Sequence, residues 1–407
     1  MDVLHKKEPV LLPTLPLSST RAFWQRWGSA LKEVLPLYIA IHVAFFVISC
    51  LSILFVVRDF QWAAVPLRTL WQAWRRWDSG HYVVIALHGY QQPYHTAFFP
   101  LFPLLERALS IILTRGDPFI AGLIISDVAT LVLVLVLYQL VSEDFDAERA
   151  AYTILYLAIF PTAFFFAAAY NEALFLCLTL MSFYNIRHGN WWLAGLFGFL
   201  AGLTRSVGLL LLLPFCYEYL RQRQFDLRKT RVDVLAGVLI PAAILLFGVY
   251  CYLRFHDFLA FSHAEVTWQR ELRWPWHGII GSIKAILISS GPLSFQTLRN
   301  LLDLGPDLLV GALIVLGFVG PWRLPRSLWS YGIYAGALYL FLQFFPTGGT
   351  GIFPLQSMSR YMLEIFPAFI MLAAFAKYRI FHLNYLFVSG TLLFFLLMQF
   401  LTGHWVL

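Results

Sequence analysis

Runs of apolar residues long enough to cross a bilayer recur along the chain, at about 35–57, 118–141, 232–254, 301–320, 327–345, 360–376 and 382–401. A spanning helix needs roughly 20 such residues, because in lipid every backbone polar group must be bonded within the segment. The stretch 150–219 is apolar almost throughout but is interrupted at Phe160-Pro161, at Arg187-His188-Gly189-Asn190 and around Thr204-Arg205-Ser206. It reads as four helices, some short, packed as two hairpins. About eleven spans are therefore expected, in a single all-α polytopic membrane domain covering 1–407. Composition agrees: 60% of residues are hydrophobic and 13% charged, where soluble domains carry roughly 25% charged residues. A nucleic-acid reading finds no basic tail and no binding motif.

Lys and Arg in short loops set topology. Lys6, Lys7, Arg21, Arg26 and Lys32 lie before the first run, and Arg221, Arg223, Arg228, Lys229 and Arg231 lie in one connecting loop. All fall on the cytoplasmic side if 1–33 is a cytoplasmic tail. Segments 58–117 and 255–300 are then two long outer loops rich in aromatic residues, with 98–113 lying along or dipping into the surface. Arg58, Arg68, Arg75, Arg76, Arg270 and Arg273 sit on that outer side against the charge preference, which suggests anion binding. Cys50, Cys177, Cys216 and Cys251 all lie in apolar segments without a CxxC pair, so neither metal nor redox chemistry is expected.

The outer stretch from Trp74 to Pro103 has the richest chemistry. If helical, it stacks Trp74, Asp78, His81 or Tyr82, and Ile85 on one face. That arrangement fits either an interfacial amphipathic helix or one carboxylate among rings and a histidine. Glu172 follows Asn171 at the start of an apolar helix. Asn171 as the cap, with Glu172 at the positive helix end, is the plainer reading; Glu172 as a second site carboxylate is compatible with it. Arg205 interrupts an apolar run, where an arginine is costly unless it faces a partner or a wet cavity. Arg360 follows the loop FFPTGGTGIFPLQSMS and either snorkels to the interface or grips a phosphate.

These stretches together resemble the PIG-V family of mannosyltransferases, membrane enzymes of the GT-C glycosyltransferase fold. The matching residues are Arg76 to Tyr82 (RWDSGHY), His88-Gly89-Tyr90, Ala97 to Leu104 (AFFPLFPL), Phe160 to Phe165 (FPTAFF) and Tyr170 to Phe175 (YNEALF). They continue with Trp191 to Gly195 (WWLAG), Leu203-Thr204-Arg205, His256 to Phe261 (HDFLAF), Trp274-Pro275-Trp276 and Ser357 to Tyr361 (SMSRY). Ser359 and Ser206 stand where the family often has proline.

The resemblance implies a sugar donor linked to polyprenyl or dolichyl phosphate, usually mannose, used away from the cytosol without a nucleotide sugar. An essential acid in the first outer loop maps to Asp78. No cofactor or metal is expected. The transfer needs a base for the acceptor hydroxyl and positive charge for the departing phosphate. Asp78 is assigned as base, Arg205 and Arg360 as the leading phosphate ligands with Arg76 and Arg270 beside them, and Trp77, His81, Tyr82 and Glu172 as lining or support. The acceptor is an unidentified glycan, lipid or protein hydroxyl. Short loops point to a bacterial plasma membrane, with the endoplasmic reticulum as the alternative. A lipid or lipid-linked sugar transporter is the competing class; it would more often show two matching halves.

Overall fold

The computed structural model describes residues 20–56, 66–347 and 351–404. The basic pair Lys6-Lys7, Arg58 and most of the Gly348–Gly351 loop lie outside the described residues.

The first helix, α1 (Thr20–Val56), begins well before the apolar run. Within the segment 1–33 expected as a tail, Trp24 to Glu33 is already helical. Among the described residues, the first stretch expected outside holds three short α-helices, α2 (Arg68–Ala73), α3 (Asp78–His88) and α4 (Leu101–Ile112). The long α5 (Pro118–Asp144) starts with Asp117 accepting from the amides of Phe119 and Ile120, as an N-cap does. The interrupted apolar region then gives α6 (Ala147–Ala158), α7 (Glu172–Arg187), α8 (Trp191–Thr204) and α9 (Leu212–Gln222). Four helices were expected there, and their breaks fall at the polar and proline sites that interrupt the sequence.

After α10 (Leu239–Phe255) the second segment expected outside carries α11 (Ala260–His263) and α12 (His277–Leu287). The remainder is α13 (Phe295–Phe318), α14 (Trp329–Phe344), α15 (Met358–Tyr361), α16 (Phe366–Ala373) and α17 (Arg379–Leu401). Among the described residues the strand-like pairing is confined to one bridge, Arg270 with Thr347.

Five described segments are long and apolar enough to cross a membrane unaided: Trp24–Phe55, Pro118–Asp144, Val232–Phe255, Phe295–Phe318 and Arg379–Leu401. The other expected spans are pieces of 8 to 16 residues. Buried pieces need not meet the length rule for lipid-facing helices, because neighbouring protein satisfies their broken ends. Helix α7 shows this, with Ala173, Phe175, Leu176, Leu180, Phe183 and Ile186 all at its core.

Close approach of α8 to α10 depends on glycine. A methyl group at Gly198 would lie 2.7 Å from Ile240, and one at Gly202 would lie 2.7 Å from Ala243. Small residues four apart let two backbones meet where lipid supplies no hydrophobic drive. At the far end of α7, Arg187 pairs with Asp144 and Glu218, both at 2.7 Å, while Tyr331 donates to Asp144 at 2.5 Å. This network joins α5, α7, α9 and α14 and leaves the opposite end of α7 to the site.

Candidate active site

The charged residues of the site stand where helices start, stop or break. The expected continuous face from Trp74 to Ile85 is corrected: the helix breaks at Trp77, whose φ of 38° lies in the left-handed region. The Arg76 carbonyl fixes this turn by accepting from the Ser79 amide, the Ser79 hydroxyl and the Tyr170 hydroxyl. Trp74 is thereby turned away, and its indole donates to Ser49 at 3.0 Å. Asp78 becomes the first residue of α3.

Across from it, Glu172 opens α7 and is fully buried. Arg360 lies between the two acids: Nη1 is 2.7 Å from Asp78 Oδ2, and the guanidinium is also paired with Glu172. Phe165 and Tyr170 face the same guanidinium at 4.9 and 4.7 Å from their ring centres. Arg360 is therefore caged rather than snorkelled.

Arg205 follows the end of α8, with Nη1 3.2 Å from Glu172 and 2.9 Å from Glu364. The expected capping role of Asn171 is corrected. Its side chain makes no cap bond; Nδ2 donates to the Thr204 carbonyl at 3.0 Å and Oδ1 accepts from Arg205 at 3.2 Å. The amide is drawn off its own helix because it supplies a neutral acceptor to the buried Arg205 cation.

Asp78, Arg205 and Arg360 line an open cleft together with Trp77, Tyr82 and Arg270. Arg270 sits at its rim, donating to the Phe345 carbonyl and the Tyr361 hydroxyl, both at 3.1 Å. Glu265 lies 3.9 Å from it, and burial lifts the Glu265 carboxyl above its usual value against the pull of Arg270.

Two expected members lie elsewhere. Arg76 donates to the Leu401 carbonyl at 2.6 Å, at the negative end of α17, and does not face the cleft. His81 stacks on Phe98 at 4.9 Å and meets the edge of Trp268, so it stands behind the cleft wall. That burial lowers its imidazole below the usual value, with Asp78 opposing.

Glu364 was not singled out from the sequence, although one signal was there: it is an acid four residues after Arg360, inside an apolar run. Among the described residues no group of three His, Cys, Asp or Glu is placed to hold a metal ion.

The sequence model of the family described as Mannosyltransferase (PIG-V) matches residues 51–283. The chain belongs to this family. Among its curated relatives, "GPI alpha-1,6-mannosyltransferase 2" of Rattus norvegicus is 33% identical over 143 residues, which cover 33% of this chain and 29% of the relative. "GPI mannosyltransferase 2" of Yarrowia lipolytica is 27% identical over 175 residues, covering 43% of this chain and 48% of the relative. The matches thus span less than half the length of these PIG-V relatives.

Among solved structures, ArnT from Cupriavidus metallidurans bound to undecaprenyl phosphate superposes with a TM-score of 0.50 at 15% identity, over 84% of this chain and 59% of that one. The PIG-V chain is a membrane protein with a GT-C-like fold.

Proposed function

We propose that the chain is an inverting glycosyltransferase that moves mannose from a polyprenyl-phosphate-linked donor to an acceptor hydroxyl on the non-cytoplasmic face. The observation that carries this reading is the convergence of Arg205 and Arg360 on Glu172, with Asp78 held against Arg360 in the same open cleft. Membership of a mannosyltransferase family supports the enzyme over the transporter, and the relatives' names support mannose. The undecaprenyl phosphate bound by ArnT supports the lipid-phosphate class.

The mechanism follows from charge. At rest each arginine is neutralised by buried carboxylates, since a lone cation there is costly. A phosphate entering between Arg205 and Arg360 draws the guanidinium of Arg360 from Asp78. Asp78 is then free to accept the proton of the acceptor hydroxyl as its oxygen attacks the anomeric carbon. The C–O bond to phosphate breaks on the opposite face, and the arginines hold the charge that develops there. One displacement inverts the centre. Trp77 and Tyr82 border the space for the sugars. These steps require no metal.

Replacing Arg205 or Arg360 with Gln should weaken donor binding by about tenfold or more, since charge-assisted bonds exceed neutral ones. Lys should restore only part, lacking the planar fork. The check is binding and transfer with purified protein and polyprenyl-phosphate mannose. Full affinity in Arg360→Gln would overturn the phosphate assignment.

The sidedness has its own test. Gln91 and Gln224 are both exposed, near the cleft side and in the basic loop respectively. Cysteines placed there should label from the non-cytosolic and cytosolic sides in turn, and the reverse result would remove the proposed orientation. The orientation is the same whether the chain resides in a bacterial plasma membrane or the endoplasmic reticulum.

A further inference from the structure

Arg360 lies on α15, a helix of 4 residues preceded by Ser357 with φ of 67°. A single turn does not hold its own shape, because nucleation fixes several dihedrals for one bond. The segment must be held from outside if the guanidinium is to keep its place between Asp78 and Glu172.

The hold falls on Ser359. Its amide donates to Asp303 Oδ1 at 3.1 Å, and its hydroxyl donates to the same oxygen at 2.8 Å. From the other side, the Thr162 hydroxyl donates to the Ser359 carbonyl at 3.0 Å. Asp303, Ser359 and Thr162 are all buried. Asp303 belongs to α13, and its second oxygen, Oδ2, lies 3.6 Å from Arg299 Nη1, one helical turn earlier. The carboxylate therefore has a cation on one side and is free to serve Ser359 on the other. Proline at 359 would have no amide hydrogen to give. The serine that this chain carries is what allows the grip from α13.

We propose that Asp303 is the positioning residue for Arg360: through Ser359, and with Thr162 opposite, it fixes the backbone from which the phosphate-binding guanidinium projects. This rests on the reading that Arg360 binds the donor phosphate. Asp303 itself does not line the cleft.

The experiment measures equilibrium binding of polyprenyl phosphate, without sugar, to the purified full chain. Asp303→Ala removes both bonds to Ser359, together with the Arg299 pair, and should weaken binding by about tenfold. Asp303→Asn keeps Oδ1 as the acceptor for both, so it should remain within about threefold of the parent chain. In an Arg360→Gln background Asp303→Ala should weaken binding no further, because residues that act through one another are not additive.

Parent-like binding in Asp303→Ala would overturn the proposal. So would a full additional loss in the Arg360→Gln background, or an Asp303→Asn as weak as the alanine variant. If Asp303→Ala does not fold, Thr162→Val supplies the test, with about a threefold loss expected that disappears in the Arg360→Gln background. Should Arg360→Gln alone bind like the parent, the phosphate reading itself falls. A normal Asp303→Ala beside a weak Arg360→Gln removes only the positioning role.

Discussion

Asp78→Asn is expected to insert, fold and still bind the lipid-phosphate donor, yet transfer little sugar. The substitution keeps the shape at the start of α3 and removes the proton acceptor. Loss of a positioned general base typically costs about 10² to 10⁴-fold in rate. Arg360 retains Glu172 in this variant, so its place in the cleft does not depend on Asp78. His81→Asn is the control. The imidazole lies behind Phe98 and Trp268, three residues from Asp78, and its loss should cost far less than Asp78→Asn. Near-normal turnover by Asp78→Asn with intact donor would end the assignment of Asp78 as base. A loss in His81→Asn as deep as in Asp78→Asn would instead make the two residues share the role.

Glu172→Gln is expected to be the most destabilising single change at the site. Glu172 is fully buried and touches both Arg205 and Arg360. Removing one partner of a buried pair leaves an uncompensated charge and typically costs about 3–5 kcal/mol. Here the lower end applies, about 3 kcal/mol, because Arg205 keeps Glu364 and Arg360 keeps Asp78. The measurement is the unfolding midpoint in detergent or nanodiscs, with and without polyprenyl phosphate. An anion that binds between the arginines should restore much of the lost stability in this variant and add less to the parent chain. Equal midpoints for variant and parent would show that Glu172 is not their resting counterion.

The long spans were legible because lipid imposes a length and polarity rule that a linear sequence displays directly. The breaks at Pro161, Gly189 and Arg205 were legible for the same reason: each interrupts an apolar run. Asp78, Glu172, Arg205 and Arg360 could be picked out as costly charges in or beside such runs, and the structure gathers them. The destinations of Arg76 and Asn171 were not legible. Arg76 reaches a carbonyl 325 positions away, and Asn171 answers Arg205 across a helix gap. Local rules of capping and charge say nothing about partners that only the packing brings near. The turn at Trp77 was hidden too, because a tryptophan in the left-handed region is held by Arg76, Ser79 and Tyr170 rather than by its own preference. Glu364 vanished into a run read only as a span.

The bond from Arg76 to the Leu401 carbonyl has a temporal meaning. Phe400 beside it touches the rings of Trp74, Trp77, Phe164, Phe165 and Tyr170, and the last two of these face Arg360. During synthesis the motif around Asp78 leaves the ribosome well before α17 does. The loop near residue 78 therefore waits, unfinished, for α17 to slide in beside it. A nascent chain arrested before α17 has inserted holds the cleft-lining residues from Trp77 to Tyr361 but lacks the wedge that sets their spacing, so competence waits on the docking of α17.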